Sequence, residues 1–152
     1  MPIQIIAIGK KHESWVFDGI ARYQKRIQKP FEIEWAILPH STHAEPRARL
    51  DESQHILKRL NAYDFVILLD ERGKNIDSPG LSKLLLTPLQ ASRNIVVIIG
   101  GAYGVDDIIR QRADFVWSLS GLVFPHQLVR LMLIEQIYRA QEIAAGNPYH
   151  HN

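Results

Sequence analysis

Residues Ile95–Gly104 read IVVIIGGAYG, five β-branched apolar residues followed at once by a glycine-rich turn. An unbroken apolar run of this kind predicts a strand covered on both faces, as in a parallel sheet flanked by helices. Glycine at the end of such a strand lets a ligand approach the backbone closely. The spacing GGxxG is neither the dinucleotide fingerprint GxGxxG nor a P-loop, so these glycines indicate either a ligand loop or a plain tight turn.

The rest of the chain alternates between strand and helix patterns on either side of this stretch. Five strands are predicted, at Ile3–Ile8, Phe31–Leu38, Phe65–Leu69, Ile95–Ile99 and Phe115–Leu119. Five helices are predicted, at about Ser14–Lys29, Pro46–Asn61, Ser78–Leu85, Asp106–Arg112 and Pro125–Ala145. This alternation predicts an α/β fold with a mostly parallel sheet flanked by helices. A length of 152 residues without a repeat or a linker predicts one domain over residues 1–152.

The composition excludes several kinds of site. The chain has no cysteine, which rules out disulfides, thiolate metal ligands and cysteine nucleophiles. No signal peptide and no apolar run long enough to span a membrane is recognisable, so we expect a cytoplasmic protein without membrane contact. The net charge of +2 is only weakly basic, so a nucleic-acid partner must be inferred from where the charges lie.

Three of the predicted strands end at Leu69, Gly100 and Leu119. Ligands of open α/β sheets bind beyond the carboxyl ends of the strands, so these three ends form one pocket if their strands are neighbours. Four carboxylates follow these strands, namely Asp70, Glu71, Asp106 and Asp107. Loop carboxylates are usually solvated rather than ligands, and no metal is expected here.

The first predicted helix has an apolar stripe and an opposite basic stripe of Arg22, Lys25, Arg26 and Lys29. Such a run is usually a solvated face. Four cations without an acid between them repel one another, however, and the phosphates of a nucleic acid would relieve that repulsion. We therefore expect these residues to contact RNA.

The last predicted helix begins at Pro125 and is stopped by Gly146. It is apolar over most of its circumference, which indicates burial on two sides: the second side faces either the protein's own core or another subunit. Glu135 and Arg139 have the spacing of a helix ion pair. The tail beyond the helix carries Tyr149 and His150, groups able to stack on or hydrogen-bond a base if the tail docks.

Five segments together resemble one known family. They are Leu69–Gly73 (LDERG), Gly100–Gly104 (GGAYG), Ser118–Arg130 (SLSGLVFPHQLVR), Glu135–Ala140 (EQIYRA) and Pro148–His150 (PYH). In order and spacing they resemble the ribosomal RNA large subunit methyltransferase H family, small members of the SPOUT methyltransferase superfamily. The resemblance covers the full length of the chain.

The resemblance implies an α/β fold with a C-terminal trefoil knot, a homodimer, and methyl transfer from S-adenosylmethionine to N3 of a pseudouridine in large-subunit ribosomal RNA. It places cofactor contacts at Leu69, Gly100, Leu119, Ser120, Gly121, Leu122, Val123 and Phe124. Val123 stands where the family usually has threonine, which removes a hydroxyl but leaves main-chain contacts intact. His151 stands where Lys or Arg is usual, which weakens any fixed-charge role there.

For the chemistry, the resemblance makes His150 the candidate base for the imide nitrogen, with Tyr149 orienting or stacking. Arg139 is expected to stabilise the resulting oxyanion or to hold a phosphate. The main alternative is an RNA-binding α/β module without catalysis. A nucleotide-binding oxidoreductase is a weaker alternative, because the glycine spacing disfavours it.

Overall fold

The computed structural model describes residues 3–151, and its strands and helices alternate along the chain. The strands are β1 (Ile3–Ile8), β2 (Ile33–Leu38), β3 (Phe65–Lys74), β4 (Ile95–Ile99) and β5 (Phe115–Trp117). The helices are α1 (Ser14–Gln24), α2 (Arg47–Lys58), α3 (Ser78–Gln90), α4 (Asp107–Arg112) and α5 (His126–Ala144). The predicted α/β alternation is confirmed.

The five strands form one sheet in the order β2-β1-β4-β3-β5, and every pairing is parallel. Strand β4 lies in the middle of the sheet and is buried along its whole length. Its side chains alternate between the two faces: Ile95, Val97 and Ile99 join one apolar cluster, while Val96 and Ile98 join the other. This is why its sequence is an unbroken apolar run.

The helices cover the two faces unequally. Helices α1, α3 and α5 pack on one face, where Ile20, Leu85 and Ile134 belong to the same cluster. Helices α2 and α4 cover the other face through Ile56 and Ile109. Helix α5 contacts both α1 and α3. These contacts within one chain explain part of the apolar surface around the last helix.

Helix α1 ends at Gln24, five residues before the predicted end. The amide of Arg26 donates to the carbonyl of Tyr23 at 2.9 Å, and the chain then leaves the helix axis. Ile27 and Phe31 turn into the core instead. The prediction that four cations form one helical stripe is therefore wrong: Arg22 is helical, whereas Lys25, Arg26 and Lys29 lie beyond the last helical residue.

Strand β3 continues to Lys74, past its predicted end at Leu69. Leu69 and Lys74 both pair with Trp117 of β5, so the residues between them bulge out of the sheet. A Cβ atom at Gly73 would overlap the carbonyl of Val116 and lie 2.8 Å from the amide nitrogen of Trp117. Only glycine allows the bulged strand to rejoin β5 at this point.

The other corrections concern element ends. Strand β2 begins at Ile33 because the amide of Phe31 is taken up in a turn with Gln28. Helix α3 extends to Gln90 and accommodates Pro88 in its last turn. Among residues 3–151, no helix is both long and apolar enough to cross a membrane. The trefoil knot stays a prediction.

Candidate functional site

A cavity of about 370 Å³ lies at the carboxyl edge of the sheet. Strand β3 pairs with both β4 and β5, so Leu69, Gly100 and Leu119 meet at this edge and all three line the cavity. The predicted meeting of Leu69, Gly100 and Leu119 in one pocket is confirmed, although β3 continues to Lys74 and β5 ends at Trp117.

The loop after β5 forms one wall of the cavity. The Ser118 hydroxyl donates to the Ser120 carbonyl at 2.9 Å, and the Ser120 hydroxyl accepts from the Leu122 amide at 3.0 Å. Asn75 donates to the Ser118 carbonyl at 2.8 Å and ties the loop to the end of β3. Of the predicted cofactor residues in this loop, those lining the cavity are Leu119, Ser120, Leu122, Val123 and Phe124.

Gly121, Leu122 and Val123 of this loop contribute to the cavity in different ways. Gly121 is not among the residues that line it, although it belongs to the same loop. The side chains of Leu122 and Val123 are 69% and 79% exposed, an apolar rim that a bound ligand would cover.

The glycine-rich turn forms the floor. Gly101 and Gly104 face each other in an isolated bridge, and the amide of Gly104 donates to the carbonyl of Gly101 at 2.9 Å. A Cβ atom at Gly100 would lie 2.9 Å from Cγ1 of Val105 and 3.1 Å from the carbonyl carbon of Gly104. Glycine at position 100 therefore allows the turn to pack this closely against Val105 and Gly104 at the floor of the cavity.

The bulge of β3 forms the third wall and is held by charges. Asp70, which is 10% exposed at its side chain, accepts from Arg110 at 3.2 Å and from Arg72 at 3.3 Å. Arg110 also pairs with Asp107. Asp106 caps α4 by accepting from the amide of Ile108. Asp70 and Asp107 are thus paired and Asp106 is a cap, and residues 3–151 contain no group of three side chains suited to a metal ion.

The tail after α5 docks against the helix that precedes it. Gly146 has a φ of +73°, and the amide of Asn147 bonds back to the carbonyl of Glu142 at 2.9 Å, which reverses the chain. The hydroxyl of Tyr149 then donates to Glu135 at 3.0 Å, and its ring meets Tyr138 edge to face at 4.8 Å.

Arg139 connects the docked tail to the helix. It donates twice to Oε2 of Glu135, at 2.8 and 3.1 Å, which confirms the predicted ion pair. Its guanidinium lies 4.8 Å from the centre of the Tyr149 ring and 3.0 Å from Nδ1 of His150. The hydrogen bond with Glu135 raises the pKa of Arg139, and burial together with Glu135 raises the pKa of Tyr149 to about 12.

A second, larger hollow of about 900 Å³ runs between α1, the start of α3 and α5. We call it the α1–α5 groove. Arg22, Met132 and His150 line it, and it shares Leu119, Ser120 and Phe124 with the smaller cavity. The loop after β5 therefore separates two adjoining spaces, with the tail residues on the groove side.

Comparison with known proteins identifies the family. The sequence profile described as "Predicted SPOUT methyltransferase" matches residues 1–150. The chain belongs to the SPOUT methyltransferase family. Proteins named "Ribosomal RNA large subunit methyltransferase H" are similar over nearly their whole length. That of Desulfitobacterium hafniense is 39% identical, covering 99% of this chain and 99% of its own. That of Acidiphilium cryptum is 43% identical, covering 97% and 92%.

Solved structures of two methylase family proteins share the fold. The protein from Haemophilus influenzae Rd KW20 superposes with a TM-score of 0.55 at 12% identity, covering 99% of this chain and 70% of its own. The protein from Neisseria gonorrhoeae gives a TM-score of 0.52 at 13% identity, covering 99% and 85%. At this identity the likeness concerns the fold alone.

In this SPOUT chain the four predicted RNA-binding cations lie outside the small cavity. Their side chains are exposed, and none forms an ion pair with a carboxylate of the described residues. They are Arg22, Lys25, Arg26 and Lys29. Of these four cations, only Arg22 lines the α1–α5 groove, so Arg22 is where the cations and the groove meet.

Sequence reasoning missed the environment of Arg130. The structure buries Arg130 to 1% exposure, beside His12 and His126. The signal was a single charge inside the apolar run Leu128–Ile134, because a lone arginine at such a position is rarely solvated.

Proposed function

We propose that this protein transfers a methyl group from S-adenosylmethionine to N3 of a pseudouridine in large-subunit ribosomal RNA. The observation that carries the proposal is the cavity where Leu69, Gly100 and Leu119 converge, in a chain that belongs to a methyltransferase family. Relatives about 40% identical over almost the whole chain are named as ribosomal RNA large subunit methyltransferases. Ribosomal RNA as the substrate supports a cytoplasmic location, which is part of the proposal.

The cavity is suited to S-adenosylmethionine in size and lining. Its volume of about 370 Å³ falls in the range of small-molecule sites, about 300–1,000 Å³. Leu69, Leu119 and Phe124 offer apolar surface, and Gly100 allows the tight turn that forms the floor. S-adenosylmethionine supplies a methyl group already activated by the sulfonium, so the protein needs to hold and orient the reactants rather than to provide an electrophile.

The tail residues are suited to stabilising charge on the target base. A guanidinium has only donors, so the 3.0 Å contact with Arg139 makes Nδ1 of His150 the acceptor. In neutral His150 the proton then lies on Nε2, which is a donor. We therefore assign Arg139 and His150 to stabilising the negative charge that forms on the base when its N3 is deprotonated. Tyr149 keeps both in place through Glu135.

Base catalysis by His150 fits this arrangement less well. Nε2 accepts a proton only if Nδ1 carries the other one, and that tautomer breaks the hydrogen bond from Arg139. A protonated His150 would also lie beside a permanent cation. In this proposal the proton of N3 is therefore lost to solvent water, and His150 acts as a donor to the resulting anion rather than as the base.

The α1–α5 groove is the proposed contact with a second copy of the chain. Leu128, Leu131 and Met132 of α5 line it and are only partly covered within one protomer. His150 and the cofactor loop both border the groove, so a partner seated there would lie next to both. A homodimer would explain why α5 is apolar on its second side.

A non-catalytic RNA-binding module remains the alternative, because the exposed cations would serve it equally well. The deciding experiment measures transfer of labelled methyl groups to large ribosomal subunits that lack the modification, and to the same ribosomal RNA stripped of protein. Calorimetry with S-adenosylmethionine and with NAD accompanies it. We expect binding of S-adenosylmethionine only, and label in the RNA. RNA binding without cofactor binding would favour the module, and binding of NAD would favour the oxidoreductase.

A further inference from the structure

Arg130 on α5 is a buried charge whose partners are all neutral. Its Nη1 donates to the carbonyl of Lys10 at 2.8 Å and lies 3.3 Å from Nδ1 of His12. Its Nε has no hydrogen-bond partner, and no carboxylate within residues 3–151 lies within 4 Å of the guanidinium. Burying a cation without an anion is costly, and here burial lowers the pKa of Arg130. Such a position is suited to receiving an anion from outside.

The space for that anion is kept open by Gly9. This residue follows β1 with a φ of +136°, a conformation that side chains other than glycine rarely adopt. A Cβ atom here would lie 3.5 Å from Nη2 of Arg130 and 3.3 Å from Nε2 of His40. Two nitrogen groups thus approach Gly9 closely from different parts of the chain, and a side chain at this position would crowd both of them.

His40 connects this space to solvent. Its side chain is 49% exposed, and its Nδ1 lies 3.8 Å from Oε2 of the buried Glu52. Lys10 and Lys11, exposed beside Gly9, add two cations at the rim. An anion that enters past His40 therefore meets positive charge at the rim and a buried guanidinium at the base.

The cluster borders the cofactor cavity. His126 precedes Arg130 by one turn of α5 and lines that cavity. Burial lowers the pKa of His126, and Arg130 and His40 lower it further, so the three groups act on one another electrostatically. Strand β1 pairs with β4 from Gln4↔Val96 to Ala7↔Ile99, which brings Gly9 to the same edge of the sheet as Gly100.

We propose that Arg130, His40 and Lys10 form a phosphate site that holds a phosphodiester of the RNA close to the nucleotide being methylated. The inference rests on the proposed function for its substrate, whereas the binding of an oxyanion follows from the cluster alone. A phosphodiester fits better than the carboxylate of the cofactor, because the opening at His40 and the two rim lysines face solvent rather than the cavity.

Arginine side-chain NMR tests the site without any RNA. The Nε–H of Arg130 lacks a partner, so its resonance in ¹⁵N-labelled protein is a direct reporter, assigned by its loss in R130K. Titration with inorganic phosphate, against chloride at equal ionic strength, is expected to shift this resonance in a saturable way. In H40A the apparent phosphate affinity is expected to fall at least threefold. A resonance that phosphate leaves unmoved overturns the proposal.

A second experiment, with the RNA substrate, identifies the source of the anion. The logarithm of the affinity for the RNA substrate is measured against the logarithm of the salt concentration for wild type, K10A and K58A. K58A is the control, because Lys58 is the last residue of α2. Removing one phosphate contact lowers the slope by about 0.7–0.9, so K10A is expected to show this change and K58A to match wild type. Equal slopes in all three proteins overturn the assignment to RNA.

Cofactor binding tests the remaining possibility, that the site binds the carboxylate of S-adenosylmethionine rather than a phosphate. The affinities for S-adenosylmethionine and for methylthioadenosine, which lacks the carboxylate, are expected to be the same in H40A and wild type. If H40A weakens only S-adenosylmethionine, the site binds the cofactor carboxylate and the phosphate proposal is wrong. Wild-type methyl transfer is measured separately, so a failed phosphate titration with normal transfer rejects this site and leaves the proposed function intact.

Discussion

Arg139 and His150 lie eleven positions apart in sequence and are joined by a hydrogen bond of 3.0 Å between Nη1 and Nδ1. The docked tail brings this contact about, since Tyr149 fastens the chain to Glu135 on the same helix. The bond determines what the imidazole can do: with Nδ1 accepting, Nε2 of a neutral ring is a donor. Two substitutions distinguish this role from that of a base.

Replacing His150 with glutamine is expected to preserve most of the turnover, because the glutamine amide places a donor near the position of Nε2. Replacing it with alanine removes a hydrogen bond to developing charge, about 1.5–3 kcal/mol, and is expected to lower kcat about 10- to 100-fold. The measurement is kcat at saturating RNA and cofactor. If H150Q is as slow as H150A and both lose the acidic limb of the pH–rate profile, His150 is the base after all.

The raised pKa of Tyr149 predicts a pH window for stability. Its phenol titrates at about 12 in the folded chain and near 10 when unfolded, so folding favours the neutral form. The resulting stabilisation is fully present below pH 10 and is lost as pH rises towards 12. We expect the free energy of unfolding to fall less steeply across this interval in Y149F than in wild type.

Phenolate absorbance provides the check on that assignment. Subtracting the ultraviolet titration of Y149F from that of wild type isolates one phenol, which is expected to ionise near 12. A difference curve centred near 10 would show that Tyr149 is not held by burial and Glu135.

Gly73 and Gly121 form a matched pair of glycines near the cavity. A Cβ atom at Gly73 would overlap the backbone of Val116, whereas one at Gly121 has no neighbour within 4 Å. We expect G73A to destabilise the protein by about 1–3 kcal/mol, since overpacking typically costs that much. At roughly 2–4 °C per kcal/mol, its Tm should fall by several degrees while that of G121A stays within about 1 °C. Equal Tm values would contradict the tight junction of β3 and β5.

The strands were predictable from sequence because they depend on local patterns, whereas the pocket also required β3, β4 and β5 to be neighbours in the sheet. Strands β1 and β4 have the predicted ends, since runs rich in Ile and Val occur where both faces of a strand are buried, and only Gln4 interrupts the apolar run of β1. The bulge after Leu69 was not predictable in the same way. Its residues are polar, and only Gly73 signals that the chain returns to β5, a contact that depends on a strand more than forty residues later.

The ends of helices and the buried arginine depended on tertiary contacts. Helix α1 stops at Gln24 because Ile27 and Phe31 enter the core, although the sequence continues with good helix formers. The neutral partners of Arg130 include the backbone of Lys10, more than a hundred residues away, which no local pattern indicates. The docking of Tyr149 on Glu135 likewise depends on a contact in three dimensions, which forms because the chain reverses at Gly146.

Asp70 is expected to position the cavity wall rather than to bind a metal. It holds Arg110 and Arg72 from a nearly buried position, whereas Asp107 is 79% exposed at its side chain. D70N is expected to weaken S-adenosylmethionine binding about 3- to 30-fold through loss of a charged hydrogen bond, and D107N to change it less than twofold. Calorimetry measures both affinities, and a D70N loss that appears only when Mg²⁺ is present would point to a metal instead.

The homodimer prediction depends on Met132, which lies on the part of α5 that lines the α1–α5 groove. A carboxylate there would lose its hydration if a partner helix covered it, at a cost of several kcal/mol, and the dimer has two such positions. M132E is therefore expected to be monomeric in sedimentation equilibrium at concentrations where wild type is dimeric. The control is L50E, because Leu50 is an equally apolar residue, 40% exposed on α2, which packs on the opposite face of the sheet. If the dimer forms through the groove, L50E stays dimeric and M132E loses methyl transfer along with its partner. A dimer that survives M132E places the interface elsewhere.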